Sequence, residues 1–163
     1  MKYLGKKLIF AEKLFVMIQR IQTLYLLISA ILIGLLFLIP FAEIAKDGVV
    51  LLFNFKGILL DGAIKENGIA VSILIVIIFA LHGFAVMSYK KRIRQIKIIV
   101  SIIFVLLGLF GLFFFFTYYS YMDAPISYKI GMVFPLIAII LDYLAIRAIR
   151  NDEALIRSID RIR

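Results

Sequence analysis

At 163 residues, with 64% hydrophobic against 18% charged side chains and a mean hydropathy of +1.10, the chain lies far above the roughly 45 to 50% apolar usage of soluble domains, so a water-soluble globule is excluded. It contains no cysteine and one histidine, His82, which excludes disulfide staples, thiolate metal sites and CxxC redox chemistry, and leaves too few ligands for a zinc centre. The formal charge of +9 suits nucleic acid or acidic lipid, and its distribution along the chain has to decide between them.

Stretches free of Asp, Glu, Lys and Arg predict membrane spans over residues 21–42, 67–89 and 98–122, each long enough at about 1.5 Å per residue to cross a hydrocarbon core of about 30 Å. A fourth run, 130–147, contains Asp142. Its ten Leu, Ile, Phe and Val residues each favour insertion by about 0.3 to 0.6 kcal/mol, which outweighs roughly 2.5 to 3.5 kcal/mol for a mid-membrane Asp. The expected fold class is therefore an all-α integral membrane protein, a single antiparallel bundle of four transmembrane helices over 1–163.

Fifteen of the nineteen basic residues fall before the first span, between the second and third, and after the fourth. The positive-inside rule then puts both termini in the cytoplasm. The charge is thus mainly a topology signal: lipid bilayer and anionic lipids at the inner face are the expected partners, and nucleic acid is not. The apolar run of the first span is too long for a cleaved signal peptide, so it should remain as a helix. Tyr118, Tyr119, Tyr121 and Tyr128 mark the outer boundary and Tyr25, Tyr89 and Tyr143 the inner one, as amphipathic rings favour the headgroup level.

The outer loop, 43–66, mixes turn signals (Asp47-Gly48, Lys56-Gly57, Asp61-Gly62) with apolar stretches, which predicts a small hairpin or surface-lying segment capping the bundle. The second outer loop, 123–129, reads as a short turn. In lipid, helix interfaces rely on small residues. The fourth span carries Gly131, Pro135, Ala138, Asp142 and Ala145 at alternating spacings of four and three, a heptad stripe that should face inward. Ala30 and Gly34 in the first span, and Gly108 and Gly111 in the third, are candidate packing partners. Residues 150–163 have Leu155, Ile159 and Ile162 at helical spacing and predict a short amphipathic cytoplasmic helix that lies on the inner leaflet, extends the fourth span or docks a partner.

No phosphate loop, HExxH or GxSxG motif occurs, and no catalytic residue, cofactor or metal is expected. The ionisable residues inside spans are His82, about 12 Å in from the inner edge, and Asp142, about 7.5 Å in. Buried charge in a span is costly, so both are candidates for an intramembrane polar site, as a proton-handling pair or as a structural polar contact. Three function classes follow: a non-catalytic accessory or scaffold subunit, working with a membrane-protein partner or as a homo-oligomer; a small proton-coupled carrier using His82 and Asp142; and an intramembrane enzyme. The first is the preferred reading.

The segment Met17-Ile-Gln-Arg-Ile-Gln-Thr-Leu-Tyr-Leu-Leu27, the four-span plan and the ending Asp152-Glu-Ala-Leu-Ile-Arg-Ser-Ile-Asp-Arg-Ile-Arg163 together resemble a family of uncharacterised four-helix membrane proteins of Bacteroidota, catalogued as a domain of unknown function. The resemblance covers residues 17–163. It implies the inner membrane of a Gram-negative cell and brings no activity, substrate or catalytic residue. Family members begin at the position of Met17, so residues 1–16 depart from the pattern as an upstream extension or a misplaced start.

Overall fold

The computed structural model describes residues 21–46, 48–119, 121 and 124–160, with side chains as far as Asp152. The expectation about residues 1–16 and the side chains of the C-terminal segment lie outside that range. Among the described residues four α-helices and five strands follow in the order α1 (Ile21–Leu35), β1 (Ala42–Lys46), β2 (Val49–Asn54), β3 (Gly57–Leu60), β4 (Ala63–Asn67), α2 (Ile69–Met87), α3 (Arg92–Phe114), β5 (Ile126–Tyr128) and α4 (Phe134–Asp160). Three helical stretches, Ile69–Met87, Arg92–Tyr119 and Ile130–Asp152, are long and apolar enough to cross a membrane, while α1 is a shorter apolar helix among the described residues.

Each helix buries one face at heptad spacing. On α1 it is Gln22, Leu26, Ser29, Ile33; on α2 Val71, Ile75, Ile78, His82, Ala85; on α3 Gln95, Ile99, Ile102, Leu106, Leu109, Phe113. On α4, Gly131, Pro135, Ala138, Asp142 and Ala145 are all buried, and Ile149 continues the series. Steps of four and three keep a residue on one side of a helix, and four such faces close an antiparallel bundle in which sequence neighbours pack side by side and α1 closes the ring against α4. Ile31, Val76, Phe104 and Ile140 on the opposite faces are exposed, an apolar belt that suits lipid and not water.

The all-α expectation is incomplete, because the outer loop folds as a sheet. Its five antiparallel strands run in the order β4-β3-β2-β1-β5. The loop once expected to be a hairpin or surface segment supplies four strands, and the expected short turn supplies β5, which pairs with β1 through Ala42–Tyr128, Glu43–Ser127 and Ile44–Ile126. Strand alternation turns Ala42, Ile44, Leu51, Phe53 and Ile58 toward the bundle, all fully buried, while Glu43 and Val50 point away. Leu60 and Ala63 are joined through Asp61 and Gly62, both at positive φ (49° and 83°), the two-residue hairpin that an Asp-Gly pair favours.

Three boundaries differ from expectation for local reasons. The first helix stops at Leu35 instead of reaching 42: Pro40 lacks the N–H that would continue it, the chain leaves through turn hydrogen bonds such as Phe37 N–H to Gly34 O, and Phe41 N–H already donates to Phe53 O of the sheet. The third helix starts at Arg92 instead of 98, since Lys and Arg stems lie along a helix while their charges reach the headgroup level. It also widens into a π-turn over Phe115–Tyr119, where Thr117 Oγ1 donates back to Phe113 O at 2.8 Å. The C-terminal amphipathic segment continues α4 to Asp160 as one helix.

Two close backbone approaches tie sheet to bundle. A Cβ on Gly57, at φ +116°, would fall 2.0 Å from Glu66 O and 2.4 Å from Gly68 N. A Cβ on Gly131 would meet Pro40 O at 2.7 Å, so the 3-10 turn Ile130–Met132 that leads into α4 packs directly on the segment that joins α1 to β1. The expected packing glycines of α3 behave otherwise: nothing lies within 4 Å of a Cβ built on Gly108 or Gly111, because α3 approaches its neighbours through its branched residues. Gly34, in contrast, receives the Phe79 ring at 3.4 Å.

Candidate functional site

His82 and Asp142 meet across the centre of the bundle, with His82 Nε2 3.2 Å from Asp142 Oδ1 and both residues fully buried. They belong to α2 and α4, which face each other diagonally; the contact therefore lies on the bundle axis, farthest from lipid. A third helix joins through Ser29, whose Oγ is 2.8 Å from His82 Nε2 and 3.5 Å from Ala138 O. Ser29 was missed in the sequence, although Gln22, Leu26, Ser29 and Ile33 repeat the spacing that exposed the stripe on α4.

The hydrogen-bond inventory constrains the protons. His82 Nδ1 lies 2.9 Å from Ile78 O, and a carbonyl only accepts, so Nδ1 carries hydrogen. Nε2 then has two self-consistent arrangements. As an imidazolium it donates to an Asp142 carboxylate, and the Ser29 hydroxyl turns to Ala138 O. As a neutral ring it accepts from a protonated Asp142, and the Ser29 hydroxyl again turns to Ala138 O. One proton between Nε2 and Oδ1 leaves the pair with no net charge in either case, the condition under which burial is tolerable.

The network is not closed. Asp142 Oδ2, both polar atoms of the Gln95 amide, Gln22 Nε2 and Thr23 Oγ1 are buried without a hydrogen-bond partner among the described residues. All sit in the half of the bundle away from the sheet. Gln95, assigned by sequence to the basic loop, opens the buried face of α3. Toward the sheet the core is apolar: Ile33, Leu36, Ile75, Ile78, Ile102 and Leu106 are fully buried, and beyond them Phe41, Phe53 and Phe113 pack with ring centroids 4.4 to 5.8 Å apart.

At the sheet end Tyr121 is buried; its hydroxyl donates to Glu66 Oε1 at 3.0 Å and Lys46 Nζ lies 5.2 Å from its ring. Burial, and then the Glu66 hydrogen bond and charge, push its pKa up to about 12. At the other end, a groove of about 340 Å³ between α1 and α4 is lined by Tyr25, Arg147, Asn151 and Asp152 among others. Its lining does not include His82 or Asp142. Among the described residues no cluster of three or more His, Asp or Glu side chains is placed to hold a metal ion.

The architecture defines a class: a small bundle of apolar helices, three of them of membrane-spanning length, with a five-stranded antiparallel sheet on one end. A family model matches residues 18–162, and the chain belongs to that family, described as Domain of unknown function (DUF4293). Neither a curated protein nor a solved structure matches it.

Proposed function

We propose that this protein is a non-catalytic module of the bacterial inner membrane, an accessory or scaffold subunit, with both termini and its basic end in the cytoplasm. The observation supporting this reading is the sealed half of the bundle. Between the Ile33 and Ile78 level and the Phe41, Phe53 and Phe113 rings no buried polar side chain occurs among the described residues, and the buried Thr117 beyond them is bonded back to Phe113 O, so the His82–Asp142 centre lacks the route to the far side that a carrier needs. The apolar belt is then available to lipid, to a membrane-protein partner or to a second copy, and the basic end to anionic lipids. Proteoliposomes test it: under an imposed pH gradient, proton entry should equal that of empty vesicles and be unaffected by Asp142→Asn. A stoichiometric partner recovered from native membranes in mild detergent supports the accessory role.

A second reading is a small proton-coupled carrier, favoured by the contact of His82, Asp142 and Ser29 on three helices. Proton uptake that Asp142→Asn abolishes would select this reading over the first.

A further inference from the structure

The five unpartnered polar atoms share one half of the core, and their depths order them. Gln95 lies three residues inside α3 and His82 five residues inside the end of α2, so Gln95 is about 3 Å nearer the basic end, less than a helical turn. Gln22 lies seven residues before Ser29 on the same face of α1, about 10 Å nearer that end. One heptad step from the centre toward the basic end, the buried positions on α2, α3 and α4 are Ala85, Gln95 and Ala145. Two of these are alanines, whose side chains are the smallest apolar ones. One step toward the sheet they are Ile78, Ile102 and Ala138, with no polar group.

A buried polar atom without a partner costs about 1 to 3 kcal/mol, and proteins usually satisfy such atoms with internal water where two or more polar groups and sufficient room coincide. We propose that Asp142 Oδ2 and the Gln95 amide bind buried water that links the His82–Asp142 centre to the basic end through Gln22 and Thr23, so that the proton of the pair exchanges with that side alone. The ligand is water, or hydronium in transit. Among the described residues His82 and Asp142 are the buried titratable groups of this half of the core; Ser29 bonds His82 Nε2, and Gln95 is a neutral buried amide. The proposal holds whether the protein acts as a scaffold or as a carrier, since it concerns access from one side only.

The full chain, in bilayers of phosphatidylethanolamine and phosphatidylglycerol, allows the test by solid-state nuclear magnetic resonance. Magnetisation from water should reach the Gln95 side-chain amide and the His82 ring, and should not reach Ile33, Ile78 or Ile102. In D₂O, Gln95→Leu should slow deuteration of the His82 ring N–H at least tenfold, while Ile102→Leu leaves it unchanged. No water transfer to Gln95 in the wild-type chain, equal transfer on the sheet side, or an unchanged exchange rate in folded Gln95→Leu would each overturn the proposal. Should that variant not fold, the wild-type transfer experiment decides alone.

Discussion

Removing either member of the buried pair should have unequal consequences, and the inequality follows from what each removal leaves behind. Asp142→Leu leaves His82 fully paired, because Nδ1 still donates to Ile78 O at 2.9 Å and Ser29 Oγ, at 2.8 Å, donates to Nε2 of the neutral ring. It also removes the unpartnered Oδ2. His82→Leu keeps much of the side-chain volume but strips Asp142 of its one partnered oxygen, since His82 holds Oδ1 and Oδ2 has no partner among the described residues. An orphaned buried polar group costs about 1 to 3 kcal/mol, whereas hydrogen bonds within membrane bundles average about 0.6 kcal/mol when measured by double-mutant cycles. His82→Leu should therefore destabilise by about 1 to 3 kcal/mol and Asp142→Leu by less than about 1 kcal/mol. The double variant should resemble Asp142→Leu, giving a coupling equal in size to the cost of His82→Leu, about 1 to 3 kcal/mol. The chain has no tryptophan, so reversible unfolding by sodium dodecyl sulfate in mixed micelles is best followed by circular dichroism. Asp142→Leu proving as damaging as His82→Leu would show that Ser29 does not satisfy the ring and would refute this account of the network.

Gly57→Ala should destabilise far more than Gly62→Ala in the same unfolding assay: both have positive φ, but only at Gly57 does the new Cβ meet backbone, at 2.0 Å, so about 1 kcal/mol is expected at Gly62 and several at Gly57. Tyr121→Phe should weaken the sheet end by about 1.5 to 3 kcal/mol through loss of the hydrogen bond to Glu66. The folded hydroxyl keeps its proton to about pH 12 while the unfolded one loses it near 10.0, so the unfolded chain releases a proton first. Wild-type stability should accordingly fall as pH rises from 10 to 12, and the component due to Tyr121 should be missing in the Phe variant. Reporter fusions after Lys97 and after Arg163 should read cytoplasmic and one within β2 should read the outer side; a periplasmic signal at the C-terminus would reverse the proposed orientation.

The apolar runs, the segregation of basic residues and the alternating stripe on α4 were legible in the sequence because each depends on local composition against a fixed solvent: hydropathy sets span length, charge sets the preferred side, and a period of 3.5 sets the buried face. For the same reason His82 and Asp142 stood out as costly residues at similar depths. Their contact across a diagonal, the part of Ser29 and the open amide of Gln95 were decided by tertiary structure, since which polar atoms meet depends on the rotation of four helices about their axes. The sheet is the clearest instance. Leu51 and Phe53 alternate inward as any half-buried strand would, yet β1 finds β5 about eighty residues further along the chain, and no local pattern specifies a partner at that separation. Gly108 and Gly111 make the converse point: their spacing permits a close helix approach, but packing is chosen by the neighbouring surfaces, and here α3 presents Ile99, Ile102, Leu106 and Leu109 instead.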